Sequence, residues 1–256
     1  MRLGIDIGNT AAKWALFEGR TLLRHGAVCR PDEAVCRSET DTTLPAAGLG
    51  EGLEPLPAIE QALVCASGDM AAWEGWLAGF NFKYSILNSE TPLPIQLDYK
   101  TPKTLGADRV AAACGAWGLH PGEASLIVDA GTCITVDYLD AEGVYHGGAI
   151  MPGLKMSLRA LNSFTAKLPL VDIDGVEKAT VIGRSTEESI VAGTLGATML
   201  ALAGFVALYK EKNPALHVLL TGGDAERLTK AGATGWELTP QLTLRGINEI
   251  MVKSEK

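Results

Sequence analysis

The stretches Met1-Arg-Leu-Gly-Ile-Asp-Ile-Gly-Asn-Thr10 and Ser125-Leu-Ile-Val-Asp-Ala-Gly-Thr132 decide the fold. Each is an apolar run that reaches an aspartate near its end and then enters a short turn containing glycine. A second apolar run follows each turn, which predicts two strand–turn–strand units. The units lie half a chain length apart, and a repeat at this spacing indicates a duplicated α/β fold with a cleft between its halves.

The composition of the two turns suits phosphate binding. Glycine lets the backbone approach a phosphate, whose oxygens can accept hydrogen bonds from turn amides and hydroxyls, and the aspartate can hold a cation against it. The alternative is that Asp and Gly only form hairpins. Two copies favour binding, because a carboxylate in an apolar strand is costly without a partner. Lys13 could reach a phosphate or could be a solvated strand residue. The sequence has no Walker loop and no kinase-type Gly-rich loop, so the paired turns would have to bind any phosphate.

Further elements are predicted on both sides of each unit. The first unit extends to three strands within residues 2–28, and the second is followed by a third strand and by helices. A Pro- and Gly-rich segment, 31–57, is predicted as loop or irregular helix. The remaining predictions are strands at 61–67, 83–87 and 216–223, helices at 69–78 and 105–118, and a helical tail from Thr243. The two Trp of the 69–78 helix are interpreted as packing residues.

Composition excludes several classes of function. The chain has 256 residues and a formal net charge of −8, which argues against nucleic-acid binding because that selects basic patches. Its five cysteines form no CxxC pair and its four histidines are dispersed, so neither a disulfide framework nor a zinc site is expected. Because Asp6 interrupts the first apolar run, no signal peptide is predicted, and a cytoplasmic location is expected.

The segment from Ile190 to Tyr209 passes without a charge and is long enough for a membrane helix. It is rich in Gly, Ala and Thr rather than in Leu, Ile and Phe. A single span would also separate the flanking segments into different compartments. We therefore expect a buried helix at a domain core or at a subunit interface, and no membrane partner.

Asp108 and Arg109 open the helix predicted at 105–118. An aspartate in a first helical turn commonly caps free amides and suits the helix dipole. It could instead be a base that accepts the proton of an attacking hydroxyl, with Arg109 binding a substrate anion or steadying Asp108. Composition alone leaves both interpretations open.

Four motifs in order resemble type III pantothenate kinases. These are DIGNT at 6–10, Tyr99-x-x-Pro102 followed by LGADR at 105–109, DAGT at 129–132 and GGAIMPG at 147–153. The resemblance covers most of the chain. It implies the α/β fold of the actin, Hsp70 and hexokinase-like superfamily, with duplicated ribonuclease-H-like domains flanking an ATP cleft. The halves would be 1–118, with the first phosphate turn and the substrate-binding run, and 119–256, with the second turn and a dimerisation helix.

The resemblance also implies an activity: ATP-dependent phosphorylation of pantothenate to 4′-phosphopantothenate, the first step of coenzyme A biosynthesis, by a homodimer. Asp108 would be the general base, and Asp129 would bind a monovalent cation, K⁺ or NH₄⁺. Mg²⁺ would lie near Asp6, through water. The turn 221–224 is similar to the family's late glycine turn near the nucleotide. The implied ATP-binding residues are Asp6, Ile7, Gly8, Asn9, Thr10, Ala11, Ala12, Lys13 and Thr132. The implied pantothenate-binding residues are Tyr99, Gly106, Ala107, Asp108 and Arg109, with Thr186 contributed by the partner protomer.

Three alternatives stay open at this point. A kinase for a sugar or another small hydroxylated acid would share the phosphate turns but would lack the Tyr-x-x-Pro and LGADR run. Nucleotide-binding switches and assembly proteins of the superfamily are usually larger. A catalytically weak homologue could act as a nucleotide-binding regulatory accessory protein, although Asp6, Asp108, Asp129 and Thr132 are all present.

Overall fold

A computed structural model describes residues 1–29, 58–80, 82–176 and 178–254. The predicted loop at 31–57 lies outside the described residues. Contacts divide the chain into two compact units. Unit 1 comprises Met1–Pro121, Gly143–Tyr145 and Gln241–Lys256, and unit 2 comprises Gly122–Glu142 and His146–Pro240. The predicted halves, 1–118 and 119–256, divide the chain differently from these units, because the last helix belongs to unit 1.

Both predicted strand–turn–strand units are present, and each continues into a third strand. The strand at 83–87 shrinks to two residues at a sheet edge, and two further two-residue strands, β6 and β11, were too short to show a periodicity. The strands are β1 (Arg2–Ile7), β2 (Ala11–Glu18), β3 (Thr21–Cys29), β4 (Gln61–Ala66), β5 (Ser85–Ile86), β6 (Gln96–Leu97), β7 (Ser125–Ala130), β8 (Cys133–Leu139), β9 (Val144–Pro152), β10 (His217–Thr221) and β11 (Glu237–Leu238).

The helices follow the sequence pattern less closely than the strands. The predicted helix at 69–78 is a 3₁₀ turn, Met70–Trp73, followed by one short α-helix, and a second 3₁₀ turn occupies Pro102–Thr104. The α-helices are α1 (Glu74–Leu77), α2 (Ala107–Leu119), α3 (Leu154–Ser163), α4 (Thr186–Val191), α5 (Ala197–Lys212), α6 (Ala225–Ala231) and α7 (Leu242–Ser254). Helix α2 ends one residue after the predicted Gly118, and the predicted C-terminal helix is α7.

Unit 1 is built on a five-stranded sheet in the order β3-β2-β1-β4-β5. Strand β2 runs antiparallel to β1 and β3, whereas β4 runs parallel to both β1 and β5. Alternate side chains of β1 are fully buried, and Trp73 packs in the same core with 2% exposure, as expected of a packing residue. Within this unit, β6 pairs in parallel with Val144 and Tyr145 at the start of β9.

Helices α2 and α7 of unit 1 pack at very short range because each carries a glycine where it contacts the other. A Cβ atom at Gly246 would lie 1.6 Å from the Ala111 carbonyl oxygen, and one at Gly115 would lie 2.4 Å from that of Leu242. Helix α7 also reaches the β2–β3 hairpin. There Arg20 donates two hydrogen bonds to Glu249, at 2.6 and 2.8 Å. The last helix is therefore part of the unit that begins with β1.

Unit 2 has its own sheet and core. Its strands follow the order β11-β10-β7-β8-β9, with β8 antiparallel to β7, and with β10 parallel to β7 and β11. The turn between β7 and β8 therefore lies at the carboxyl end of β7, next to the carboxyl end of β10. Ligands of open α/β sheets commonly bind at such strand ends.

A continuous helical run of 27 residues, Thr186–Lys212, joins α4 and α5 through one π-helical turn. Among the described residues it is the one helical run long and apolar enough to cross a membrane by length and composition, and a third of its most apolar window is buried. The prediction of a buried helix holds for one face, which includes Leu195 and Leu202. On the opposite face, Leu200 and Leu208 are 63% and 62% exposed in this single chain, and the subunit interface expected there stays a prediction.

Candidate active site

The first predicted phosphate turn joins β1 to β2. The Gly8 amide donates to the Ala11 carbonyl at 3.0 Å, which closes the turn, and Asn9 at its tip is exposed. Asp6 is half-buried near the end of β1 and lies opposite the exposed Lys13 in the β1–β2 register, so both side chains lie on one face of the sheet. This face presents a carboxylate and an ammonium group beside one set of turn amides.

Two members of the predicted ATP loop contribute only backbone. The side chains of Ile7 and Ala12 are fully buried in the core of unit 1, whereas Thr10 and Ala11 are half-buried. A second loop supports the turn from behind: a Cβ atom at Gly68 would lie 2.4 Å from the Gly8 carbonyl oxygen. The turn is thus held by its own hydrogen bond and by a close backbone neighbour.

Asp108 lies in the first turn of α2. Its Oδ1 accepts a hydrogen bond from the Arg109 amide at 2.9 Å. A Cβ atom at Gly106 would come within 2.5 Å of the same oxygen, so a larger residue at 106 would displace the carboxylate. Arg109 is only 7% exposed. Nearby in the chain, the half-buried Tyr99 has its ring centroid 6.1 Å from that of the buried Tyr145.

Cys65 lies beside Asp6 in unit 1 and was not identified as a site residue from the sequence. It is fully buried on β4 and pairs with Asp6 in the parallel β1–β4 register. Burial, and then the negative charges of Asp6 and Asp108, raise the pKa of the Cys65 thiol well above its ordinary value. Asp6 is therefore the strand neighbour of a buried thiol. Only the parallel pairing of β1 with β4 reveals this, and no local pattern predicts that pairing.

Three backbone hydrogen bonds hold the second predicted phosphate turn, which joins β7 to β8. The Gly131 amide donates to the Cys133 carbonyl at 3.0 Å. The Gly153 amide donates to the Thr132 carbonyl at 3.1 Å, and the Asp224 amide donates to the Ala130 carbonyl at 2.9 Å. The Thr132 side chain is exposed. The turn is therefore fixed by two other segments of unit 2, the start of α3 and the turn after β10.

The glycine turn after β10 lies directly against Asp129. Gly222 has a φ of +96°, and a Cβ atom there would lie 2.4 Å from the Ala130 carbonyl oxygen and 2.5 Å from the Asp129 Oδ1 atom. Gly223, one residue later, has open space around it. Because residue 222 is glycine, the position beside the half-buried Asp129 carboxylate that a Cβ atom would occupy is left open.

Asp224 closes this turn and begins α6. Burial raises the pKa of its carboxyl, and the positive charges of Arg227 and Lys155 offset part of that effect. The Arg227 guanidinium lies 3.5 Å from Asp224 and donates to Asp174 at 2.5 Å and to the Ile173 carbonyl. It thereby ties the glycine turn to the segment that precedes the long helical run.

Thr186 is exposed at the start of α4. The Ser185 side chain caps this helix by accepting from the Glu188 amide at 3.1 Å. The Glu188 carboxylate in turn accepts from the Arg184 amide at 2.6 Å, in a variant of the capping box. The serine caps the helix as Asn or Asp would, because all three offer a side-chain acceptor.

The oxygen atoms at the two turns suit hard cations. Mg²⁺ and K⁺ prefer carboxylate and carbonyl oxygens, and Asp129 with the neighbouring Ala130 carbonyl offers both kinds beside Gly222. Asp6 offers a carboxylate next to a thiol. In unit 1 the structure brings together the first turn, Asp6 and Cys65, and in unit 2 it brings together Asp129, the second turn and Gly222.

The chain resembles known proteins over its whole length. The family model for type III pantothenate kinase matches residues 2–208. A type III pantothenate kinase of Phocaeicola vulgatus is 35% identical over 263 residues, which cover 100% of each chain.

Solved structures agree in fold. A Campylobacter jejuni protein described as a conserved putative Baf family transcriptional activator superposes with a TM-score of 0.59 at 18% identity, covering 99% of this chain and 98% of the other. Component A of (R)-2-hydroxyglutaryl-CoA dehydratase from Acidaminococcus fermentans gives 0.54 at 16% identity, covering 100% and 99%. These likenesses confirm the predicted α/β fold class. The chain therefore belongs to the type III pantothenate kinase family.

Proposed function

We propose that this enzyme transfers the γ-phosphoryl group of ATP to the hydroxyl of pantothenate, with Asp108 as the general base. One observation supports the assignment of this reaction above all. The family model matches residues 2–208, a range that includes every residue predicted to bind ATP, pantothenate or a cation. The chain is a kinase of coenzyme A biosynthesis, and its product is 4′-phosphopantothenate. The assignment of individual residues rests on the site geometry.

Asp108 is suited to receive the proton of the pantothenate hydroxyl. Phosphoryl transfer needs alignment of the attacking and leaving oxygens more than covalent help, so a carboxylate that orients the hydroxyl contributes directly. The Arg109 amide fixes Oδ1, and the missing side chain at Gly106 leaves the carboxylate its space. We assign Tyr99 and residues 106–109 to the pantothenate pocket. Since Arg109 is 7% exposed, we assign it mainly a structural role, holding the residues that line this pocket in place.

The two turns would bind the nucleotide phosphates through backbone amides. In the turn from Asp6 to Lys13, the backbone amides of Asn9 and Thr10 would face the phosphates. On the second turn, Thr132 would contribute its exposed hydroxyl. Lys13 supports this assignment because it lies on the same sheet face as Asp6. Preorganised amides stabilise the charge of the transferring phosphoryl group without reorganising during the reaction.

We propose that Asp6 holds Mg²⁺ through water and that Asp129 holds a monovalent cation, K⁺ or NH₄⁺. The oxygen donors at both positions and the space that Gly222 leaves beside Asp129 support this assignment. When bound, the cations would neutralise negative charge on the phosphates.

We also propose that the enzyme works in the cytoplasm as a homodimer, in which Thr186 contacts the partner's pantothenate. The exposed Leu200 and Leu208 support a subunit interface along the long helical run. Burying apolar side chains between two copies is favourable by about 25 cal/mol per Å². The charge-free face would then meet a second copy rather than a lipid.

The reaction is tested by ADP release from purified protein with ATP and Mg²⁺, with and without pantothenate, in potassium and then in sodium buffer. Turnover should require pantothenate and should be faster in potassium. Turnover with a different hydroxylated acid in place of pantothenate would reassign the substrate. A folded protein that binds ATP but turns over none would favour a regulatory accessory role.

A further inference from the structure

We propose that Cys65 is a positioning residue for the kinase reaction, because its thiol donates a hydrogen bond to the Asp6 carboxylate and fixes the orientation of that carboxylate. This inference rests on the proposed role of Asp6 in holding Mg²⁺ through water. It concerns a residue of β4, a strand that carries none of the predicted site residues.

The strand register places the two side chains together. Strands β1 and β4 run parallel, and Asp6 pairs with Cys65 one residue before the last pair, Ile7 with Ala66. Paired residues of neighbouring strands project their side chains to the same face of the sheet. Asp6 and Cys65 therefore lie side by side where both strands approach the first phosphate turn.

The next loop strengthens this arrangement. Directly after β4, the amides of Ser67 and Gly68 both donate to the Ile7 carbonyl at 3.0 Å. The ends of β1 and β4 are therefore joined on both sides of the Asp6–Cys65 pair. This limits the relative movement of the two strands and keeps the thiol next to the carboxylate.

Burial decides which partner the thiol can use. Cys65 has no exposed surface, so water cannot accept its proton, whereas the neighbouring Asp6 carboxylate can. Burial and the charges of Asp6 and Asp108 raise the pKa of the thiol well above its ordinary value, so Cys65 stays a neutral donor throughout the working range of pH. No titration of the thiol is involved.

A neutral donor suits this position better than a charged one. A lysine or arginine would neutralise Asp6 and would compete with the cation, whereas another carboxylate would repel it. A thiol orients the carboxylate with a weak hydrogen bond and leaves its negative charge available.

The alternative role for Cys65 is packing alone, and substitutions distinguish the two. Cys65→Ser keeps a donor but places a more polar group in the core, whereas Cys65→Ala and Cys65→Val remove the donor. If Cys65 only packs, serine should be as harmful as alanine or more so. If the donor matters, serine should restore what alanine and valine lose. Cys114→Ala is the matched control, because Cys114 is an equally buried cysteine of unit 1.

The primary measurement is calorimetric titration of ATP into each protein, with and without Mg²⁺. In Cys65→Ala and Cys65→Val, the gain in ATP affinity on adding Mg²⁺ should fall by roughly three- to tenfold, the effect of one net hydrogen bond. Cys65→Ser and Cys114→Ala should match the unsubstituted enzyme within about twofold on the same scale. The KM for pantothenate should not change. Equal losses in the serine and alanine variants, or no loss in either, would overturn the proposal. If the alanine variant does not fold, the serine and valine pair decides.

A spectroscopic test needs neither ATP nor metal. The infrared S–H stretching band of Cys65, identified by its disappearance in Cys65→Ser, should move to higher wavenumber in Asp6→Ala because the acceptor is lost. An unmoved band contradicts the hydrogen bond. The Asp6→Asn variant separates this inference from the proposed function. If its Mg²⁺ dependence is unaltered, the role of Asp6 is wrong. If that dependence is altered and the Cys65 variants behave normally, only the role of Cys65 is wrong.

Discussion

Gly222 lies against Asp129 so closely that a Cβ atom added to it would come within 2.5 Å of the Asp129 Oδ1 atom. The same atom would meet the Ala130 carbonyl at 2.4 Å. The late glycine turn and the second phosphate turn are therefore in direct backbone contact, and the position of one depends on the other.

Gly222→Ala should destabilise the protein and weaken its activity. Strain at the positive φ and the clash with Asp129 together predict a loss of about 1–3 kcal/mol in unfolding free energy. Gly223→Ala is the control, because a Cβ at Gly223 meets nothing within 4 Å. Urea denaturation of both variants without ligand measures the effect. Equal stabilities would show that the turn moves freely to accept a side chain.

Asp108→Asn should lower kcat by roughly 100- to 10,000-fold, the usual contribution of a general base, while the fold stays intact. The amide keeps the shape of the side chain but cannot accept the proton. Steady-state ADP release and circular dichroism test the two parts of this prediction. Glu74→Gln, which changes an exposed first-turn acid of α1, should retain full activity. An Asp108→Asn enzyme with normal turnover would remove the role assigned to Asp108.

Asp129→Asn should raise the K⁺ concentration needed for half-maximal activity by about tenfold or more, equivalent to at least about 1.4 kcal/mol of lost cation binding. The neutral amide no longer offers a charged oxygen beside Gly222. Titration of K⁺ at constant ionic strength measures the shift, with Glu142→Gln in the exposed β8–β9 turn as the control. An unshifted titration places the monovalent cation elsewhere.

Mixing two impaired variants tests the homodimer with a shared site. Thr186→Ala and Asp108→Asn should each be impaired alone. A mixed dimer would contain one site with both native residues, so exchange of protomers should restore part of the activity. The absence of any recovery, with exchange verified by mass, would mean that Thr186 serves its own protomer or none. Leu200→Lys with Leu208→Lys should yield monomers in light scattering, whereas Leu23→Lys on β3 should not.

Asp224→Asn should stabilise the unliganded protein at neutral pH. Because burial raises the pKa of Asp224, the folded state binds its proton more tightly than the unfolded chain does. Stability therefore falls as pH rises through the raised pKa, and a neutral asparagine avoids that loss. The advantage should vanish as pH falls below 3.8, the ordinary value, where both side chains are neutral. Thermal unfolding across this range measures it, with Glu226→Gln as the control, and a constant difference would contradict the assignment.

The sequence predicts the parts of this fold that are local. The aspartates at 6 and 129 interrupt apolar runs and precede glycine turns, so both hairpins are visible in the sequence, and their phosphate chemistry is a prediction from it. Asp108 is ambiguous from composition, and its proposed function comes from the resemblance of LGADR to a family motif. The role of Thr186 likewise depends on the resemblance.

What the sequence does not predict depends on pairing between distant segments. Cys65 resembles any buried strand residue until β4 is known to lie beside β1. In the sequence, Gly115 and Gly246 resemble glycines that only destabilise a helix. Their purpose is seen once α2 and α7 are known to pack against each other at these positions. Helix α5 is apolar on all sides, so periodicity alone cannot show that Leu200 is exposed and Leu202 is buried.

The packing of α7 on β1 and α2 has a consequence for synthesis of the protein. Domains fold as units while the chain leaves the ribosome. Unit 1 needs the last helix, since Gly4 lies against Ile247 and Arg20 binds Glu249. Strands β1 to β4 must therefore wait, with one side of their sheet uncovered, until α7 has been synthesised. The segments of unit 2 that form its sheet and core have by then emerged, so the second half of the gene product should mature before the first.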